Sequence, residues 1–307
     1  MVTGPPQVIS RLPEEPGVYR FRDSEGRTLY IGRAVRLRRR VRSYWGDLRG
    51  RRHLCRMVPR IARIEAAVCV SAHEASWLER NLLEESRPRW NRVIGGAEVP
   101  LMIILDQHPA RLRLLHETGI PPDEELMFGP FLGGVKVRLL AAAIMRLHPM
   151  GYASDRLTGA ERDLGRIRGV TAADRDRMIT SVIAVLSREP AAVAEFLAEL
   201  EDRRDTASRL HSYETAGRIH SELEAAQWLL AAQRLAVGPV GRSGTRCDLY
   251  GWHDGVLVQF CWQDGRMRGW RIRECAEDLG RRRVAETPQE WRAFTEVNAR
   301  LAASLRT

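Results

Sequence analysis

Two short runs rich in β-branched and aromatic residues, Gly17-Val-Tyr-Arg-Phe-Arg22 and Thr28-Leu-Tyr-Ile-Gly32, flank Asp23-Ser-Glu-Gly26. Asp, Ser and Gly supply turn chemistry, so the stretch predicts an antiparallel hairpin. A hairpin this early commits the later segments to cover its two faces. With a symmetric turn about Ser24 and Glu25, Tyr19 stands directly across from Tyr30, both side chains on one face. Two readings fit that face: tyrosines packed within a sheet, or phenols lining a site.

Helical spacing comes next at 34–45 and 74–87, with Val68-Cys-Val70 as a third strand between them. The expected fold class is α+β, beginning with a three-stranded antiparallel sheet and flanking helices. Leu101–Leu105 and Arg111–Leu115 read as a further strand pair, and 135–148 as a helix ending before Pro149. From Pro190, a good first helical residue, to Arg234 the chain reads as a helical hairpin turning near Leu210 to Tyr213. Beyond the Gly238–Gly244 break come Cys247–Trp252, Val256–Trp262 and Arg266–Arg273. Asp254-Gly255 and Asp264-Gly265 separate these runs, which predicts a three-stranded meander. Pro288 to Leu305 reads as a closing helix. Trp252, Trp262, Trp270 and Trp291 are read as core rather than as base-stacking platforms.

The charge is unevenly distributed. Residues 11–95 hold 20 arginines and 10 acids, so the rest of the chain, with 49 − 20 = 29 basic and 39 − 10 = 29 acidic residues, sums to zero. Arg33 to Arg60 carries eleven arginines against Asp47 alone. Such a run fits a solvated face, but its confinement to one segment favours a polyanion such as a phosphate backbone. Only Lys136 is lysine, so the choice of arginine at any one position carries little weight. The five cysteines form no C-x-x-C pair, which argues against a disulfide framework or a closed zinc site and for a reducing cytoplasm. No apolar run is long enough to span a membrane, and Met1–Ser10 lacks the pattern of a secretory signal.

On a helical wheel begun at Arg33, Arg36, Arg40 and Tyr44 share a stripe about 80° wide beside the buried edge. Planar guanidinium forks there suit a phosphodiester and its developing charge. On the 74–87 helix, Glu79 falls among Ala75, Leu78, Leu82 and Leu83. A carboxylate on an apolar stripe needs a partner. An arginine or a hard divalent cation such as Mg²⁺ or Mn²⁺ would serve.

These motifs together resemble the GIY-YIG nuclease superfamily. Gly17-Val-Tyr19 and Tyr30-Ile-Gly32 correspond to its signature. Leu12-Pro-Glu-Glu-Pro-Gly-Val-Tyr19, Leu29-Tyr-Ile-Gly-Arg-Ala34, Leu37-Arg-Arg-Arg-Val-Arg-Ser-Tyr44, Glu74-Ala-Ser-Trp-Leu-Glu79 and Arg87-Pro-Arg-Trp-Asn91 occur in the order of the nuclease domain of the excinuclease UvrC and its relative Cho. Phe128-Gly-Pro-Phe131 and Gly134–Arg138 resemble the UvrC segment after that domain, and Ser212–Ile219 the UVR helical hairpin that binds UvrB. The resemblance implies a nuclease domain at 11–96, a middle region at 97–185, a UVR-like hairpin at 188–236, and a meander with C-terminal helix at 245–307.

Its chemical implication is a single metal-dependent incision on the 3′ side of a DNA lesion in nucleotide excision repair. Tyr19, Tyr30, Arg33, Arg40, Tyr44, Glu79 and Asn91 would be catalytic, with Glu79 the sole protein ligand of one Mg²⁺ or Mn²⁺. Arg36, Arg38, Arg39 and Arg42 would contact DNA. The partners would be lesion-containing duplex DNA and a UvrB-like helicase, the latter bound through residues 190–234. Arg33 stands where the family commonly has lysine, and a guanidinium does not readily give up a proton. The four cysteines of UvrC near 150–170 have no counterparts, so no iron–sulfur cluster is expected. The sequence given stops at Thr307, before the RNase H-like domain that makes the other cut. Two other functions fit the same motifs: a non-cleaving accessory docked on a UvrB-like helicase, and a stand-alone nuclease outside excision repair.

Overall fold

The computed structural model describes residues 5–46, 52–91, 100–107, 110–116, 126–153, 157–234, 246–264 and 266–306. They fall into two compact units: Met1–Ala97 with Ala232–Thr307, and Glu98–Ala231. The chain therefore leaves the first unit, builds the second, and returns. Among the described residues no helix is long and apolar enough to cross a membrane.

The first unit holds two three-stranded antiparallel sheets. One is ordered β2-β1-β3, from β1 (Gly17–Arg22), β2 (Thr28–Ala34) and β3 (Arg63–Val68). Short helices α1 (Pro5–Ile9), α2 (Leu37–Arg42) and α3 (Arg52–Cys55) flank it, and α4 (Ala72–Glu85) comes after β3. The hairpin register differs from the symmetric expectation. Tyr19 pairs with Gly32 and Phe21 with Tyr30, with an irregularity between Phe21 and Arg22. The cause is the turn. Asp23 Oδ1 accepts the amides of Glu25 and Arg27, Asp23 N–H donates to Arg27 O, and Gly26 takes a left-handed φ of 81°. A loop closed on Arg27 slides the second strand by two residues, which keeps every side chain on its expected face.

Three further boundaries differ. The third strand ends at Val68 rather than beginning there, because its Glu65 is buried by Arg20 and Arg22 and so breaks the expected apolar pattern. Arg33 lies in β2, and Arg36 caps α2 without a side-chain hydrogen bond, so neither belongs to the helical stripe read from the wheel. Helix α4 starts at Ala72, with Ser71 as N-cap accepting the Glu74 amide.

The second sheet of this unit is the meander β7 (Arg246–His253), β8 (Val256–Gln263) and β9 (Arg266–Glu274), turning at Asp254 and Asp264 with positive φ. After it come α10 (Glu277–Ala285), which the sequence did not suggest, and α11 (Gln289–Arg306). Trp262, Trp270 and Trp291 are buried in one core with Val18, Ile31, Leu78 and Leu82. The meander thus covers the back of the first sheet. Arg20 makes the polar link: it pairs with Glu65, donates to Trp270 O at 2.6 Å, and stacks 4.1 Å over the Trp270 ring. Burial pulls its guanidinium down to about 10, against the opposing charge of Glu65.

The second unit carries the sheet β5-β4-β6, from β4 (Leu101–Gln107), β5 (Ala110–His116) and β6 (Leu126–Phe131). It continues with α5 (Gly134–Leu147), α6 (Gly159–Ile167), α7 (Arg175–Leu186), α8 (Pro190–Arg209) and α9 (Tyr213–Leu229). Helices α8 and α9 form the expected hairpin; His211 takes φ 57° at the turn and Ser212 N–H reaches back to Ala207 O. Ile219, Leu223, Ala226 and Leu229 recur at helical spacing and bury α9 in the same core as Val137, Leu140 and Ile144 of α5. Arg146 reinforces that contact with a two-pronged bond to buried Glu222, both prongs 2.7 Å.

Candidate active site

Strand alternation delivers Tyr19 and Phe21 from β1 and Tyr30 from β2 to one face of the first sheet. The two phenols are diagonal neighbours, ring centroids 6.2 Å apart. Gly32 makes the space: a Cβ there would lie 2.5 Å from the Tyr19 hydroxyl and 2.7 Å from a Tyr30 ring carbon. Gly17 similarly brings β1 against β3, since its Cβ would meet Ala67 O at 2.4 Å.

Tyr44, just past α2, completes a triangle. Its hydroxyl is 2.7 Å from that of Tyr19, and its ring centroid lies 5.9 Å from Tyr19 and 5.8 Å from Tyr30. Tyr30 lies close enough to this pair for its hydroxyl to feel the Tyr44 oxygen, so the three phenols form one cluster. Arg40, on α2, sits 5.4 Å over the Tyr44 ring, within electrostatic reach of the Tyr19 hydroxyl. Tyr19 and Tyr44 are fully buried, whereas Tyr30 keeps part of its ring in solvent. Burial, and then the neighbouring phenols, push all three hydroxyls well above the ordinary tyrosine range. At neutral pH all three are therefore protonated. Burial works against the charge on Arg40, but the oxygens of Tyr19, Tyr44 and Tyr30 outweigh it and the guanidinium stays charged.

At the rim, Arg33 Nε on β2 faces Glu79 Oε2 on α4 at 3.3 Å, with side chains 40% and 21% exposed. Glu79 is close enough to Tyr30 to raise its hydroxyl further. The carboxylate is thus paired with an arginine yet open to solvent, rather than sealed in the apolar stripe. Among the described residues no three His, Cys, Asp or Glu side chains gather into a metal-binding group. A single rim carboxylate suits a hard cation that keeps most of its water shell.

The structure thus brings six of the seven expected catalytic residues to one face and its rim. Asn91 acts differently: its Oδ1 accepts Ile31 N–H at 3.0 Å and its Nδ2 donates to Ile31 O at 2.7 Å. It pairs with the edge of β2 as a neighbouring strand would, between Tyr30 and Gly32. Of the expected DNA contacts, Arg36, Arg39 and Arg42 are exposed beside the site. Arg38 is half-buried; its Nε donates to Leu12 O at 2.6 Å and ties α2 to the entry segment. Sequence reasoning passed over Glu74, which is fully buried and accepts the amides of Val70 and Arg234, both at 2.6 Å. The spacing Ser71-x-x-Glu74 is a helix-start signature that marks both residues.

Residues 15–92 match the family described as the UvrC-like GIY-YIG domain. UvrABC system protein C of Nocardia farcinica is 30% identical over 280 residues, covering 85% of this chain and 40% of that protein. That of Protochlamydia amoebophila is 34% identical over 153 residues, covering 49% and 25%. The chain thus spans between a quarter and two fifths of the length of these curated relatives. The crystal structure of the GIY-YIG N-terminal endonuclease domain of UvrC from Thermotoga maritima, bound to magnesium, shares 37% identity. It aligns with 28% of this chain and 93% of that domain at a TM-score of 0.26. Residues 15–92 are thus a UvrC-like GIY-YIG domain, and the similarity to proteins named UvrABC system protein C extends over most of the chain.

Proposed function

We propose that the protein is a DNA endonuclease of nucleotide excision repair that makes one metal-dependent incision on the 3′ side of a lesion. The observation that carries this reading is the convergence of three clustered tyrosines, two of them joined hydroxyl to hydroxyl, and Arg40 beside the Arg33–Glu79 rim. Glu79 would hold one Mg²⁺ or Mn²⁺. When bound, that cation supplies positive charge at the scissile phosphate and the departing 3′ oxygen.

The chain's own residues do the rest. Arg40 and Arg33 hold the non-bridging phosphate oxygens and meet the charge that grows on them. The partly exposed Tyr30 hydroxyl orients the attacking water, and the Tyr44 and Tyr19 rings pack against the Tyr30 ring from behind. Because burial keeps all three phenols protonated, they act as hydrogen-bond partners rather than as bases. Asn91 fixes the β2 edge that carries Tyr30 and Gly32. Arg36, Arg39 and Arg42 hold the flanking backbone.

The hairpin α8–α9 would bind a UvrB-like helicase. Its tip exposes Leu210 at 71% and Tyr213 at 66%, apolar surface a partner can cover. The test is nicking of a lesion-bearing duplex with Mg²⁺ or Mn²⁺, with and without a UvrB-type partner, and with Glu79→Ala as control. Partner-dependent nicking lost in the variant supports the incision reading. Partner binding without cleavage under any of these conditions would favour a non-cleaving accessory. Cleavage of undamaged DNA without a partner would point to a stand-alone nuclease.

A further inference from the structure

The matched nuclease family ends at residue 92, yet a residue two hundred positions later touches the strand that leads to Glu79. Asn298 of α11, buried, accepts Val68 N–H on its Oδ1 at 2.7 Å and donates from Nδ2 to Val68 O at 3.3 Å. A second bond from Nδ2 to Phe294 O, 3.0 Å, fixes the amide on its own helix. Val68 is the last residue of β3, on the sheet edge opposite β2. The sheet therefore has both edges closed by asparagine amides, Asn91 on Ile31 and Asn298 on Val68.

The chain beyond Val68 gives this edge its importance. Cys69, Val70 and the N-cap Ser71 lead directly into α4, which carries Glu79 two turns on. The same elbow is held a second time by the returning chain, through the Arg234 amide on Glu74. We infer that Asn298 is a positioning residue: by clamping Val68 it sets the origin of α4 and hence the place of the Glu79 carboxylate toward its cation. This rests on the reading of Glu79 as the metal ligand. The C-terminal segment is on this view part of the catalytic apparatus rather than an appended module.

The test is direct Mn²⁺ binding to the full chain without DNA, monitored by the paramagnetic resonance of free Mn²⁺. Amide hydrogen exchange of the peptide covering residues 66–74 is measured in parallel. Asn298→Ala is expected to weaken Mn²⁺ about 3- to 10-fold, below the loss typical of residues touching a ligand directly. It should also speed exchange of that peptide. Leu301→Ala, one turn along the same helix in the core, is expected to lower Tm at least as much while leaving both readouts unchanged. Should Asn298→Ala be too unstable to purify, Asn298→Asp keeps the acceptor for Val68 N–H and loses the donor. Its added negative charge would by itself favour Mn²⁺, so weaker binding there argues for the clamp.

Wild-type affinity in a folded Asn298 variant, or an equal loss in Leu301→Ala, overturns the inference. Glu79→Gln separates the two claims. If it fails to weaken Mn²⁺, the metal-ligand reading falls; if it weakens Mn²⁺ while Asn298→Ala does not, only the clamp falls.

Discussion

Replacing Gly32 with alanine sets two effects of opposite sign against each other. Gly32 lies in the body of β2 with φ outside the left-handed region, so alanine meets no backbone strain there. On intrinsic preference, Gly→Ala in a strand should stabilise by about 0.5–1 kcal/mol. Against this, the new methyl would stand 2.5 Å from the Tyr19 hydroxyl, 2.7 Å from Tyr19 Cζ and 2.7 Å from Tyr30 Cε1. Tyr19 has nowhere to go: it is fully buried, with Phe21 at 5.2 Å and Tyr44 at 5.9 Å between centroids. Overpacking of this kind costs about 1–3 kcal/mol, so the net expectation is a loss of about 1–2 kcal/mol. For a unit of this size that lowers Tm by about 2–8 °C. The displaced groups are the phenol oxygens of the site, and a shift near 1 Å can cost about 100-fold in rate. Nicking should therefore fall by about 10- to 100-fold while the Kd for DNA holds. A Gly32→Ala protein melting at or above the wild-type temperature with full activity would refute the packing of Tyr19 and Tyr30 across this strand.

Three further outcomes are expected. Glu65→Ala strands the buried Arg20 guanidinium and should cost about 3–5 kcal/mol in urea denaturation, whereas the double change Arg20→Met/Glu65→Leu should recover most of it. Tyr19, Tyr30 and Tyr44 have folded values raised above the ordinary 10.0, so their contribution is intact below pH 10. It is lost as pH rises further, because the unfolded chain then releases protons the folded one retains; stability should fall by up to about 1.4 kcal/mol per pH unit for each phenol. Phenolate absorbance titrated from pH 7 to 11 checks it, and a tyrosine ionising near neutrality in the folded protein would contradict it. Leu210→Ser with Tyr213→Ser should abolish binding of a UvrB-type partner in a pull-down, with partner-free DNA affinity unchanged.

The hairpins, the α8–α9 pair and the meander were legible in the sequence because each is bounded by local turn chemistry: Asp23–Gly26, Leu210–Tyr213, Asp254-Gly255 and Asp264-Gly265. Elements without such punctuation were not. Helix α10 is too charged to show an apolar stripe, and β3 was misplaced because Glu65 reads as polar until Arg20 and Arg22 are seen to neutralise it. The site was legible as a set of residue types but not as a geometry. The wheel grouped Arg33 with Arg40 as though both were helical, when β2 runs on to Ala34 and hands Arg33 to Glu79 instead. The two-residue slip of the hairpin leaves no trace in the residue pattern, because the tyrosines keep the same face either way.

A three-stranded sheet has two edges and one middle strand, so the outer side of each edge strand has no strand to receive its hydrogen bonds. In this protein the middle strand is β1, which carries Tyr19, and both edges need closing if Tyr19, Tyr30 and Glu79 are to hold one geometry. Water could satisfy the edge amides but would leave them free to shift. An asparagine side chain offers the same donor and acceptor as a peptide unit, at the cost of fixing one short rotamer. On the β2 edge the asparagine comes from the segment just after α4, so that clamp is local. On the β3 edge it comes from α11, after the chain has built an entire second unit and returned. Arg20 obeys the same logic from the back of the sheet, its guanidinium held between Glu65 and the Trp270 carbonyl. The local clamp can form as soon as the chain up to Asn91 folds. The distant one can form only when residues 232–306 are in place, so full order at Glu79 requires the chain to have closed on itself.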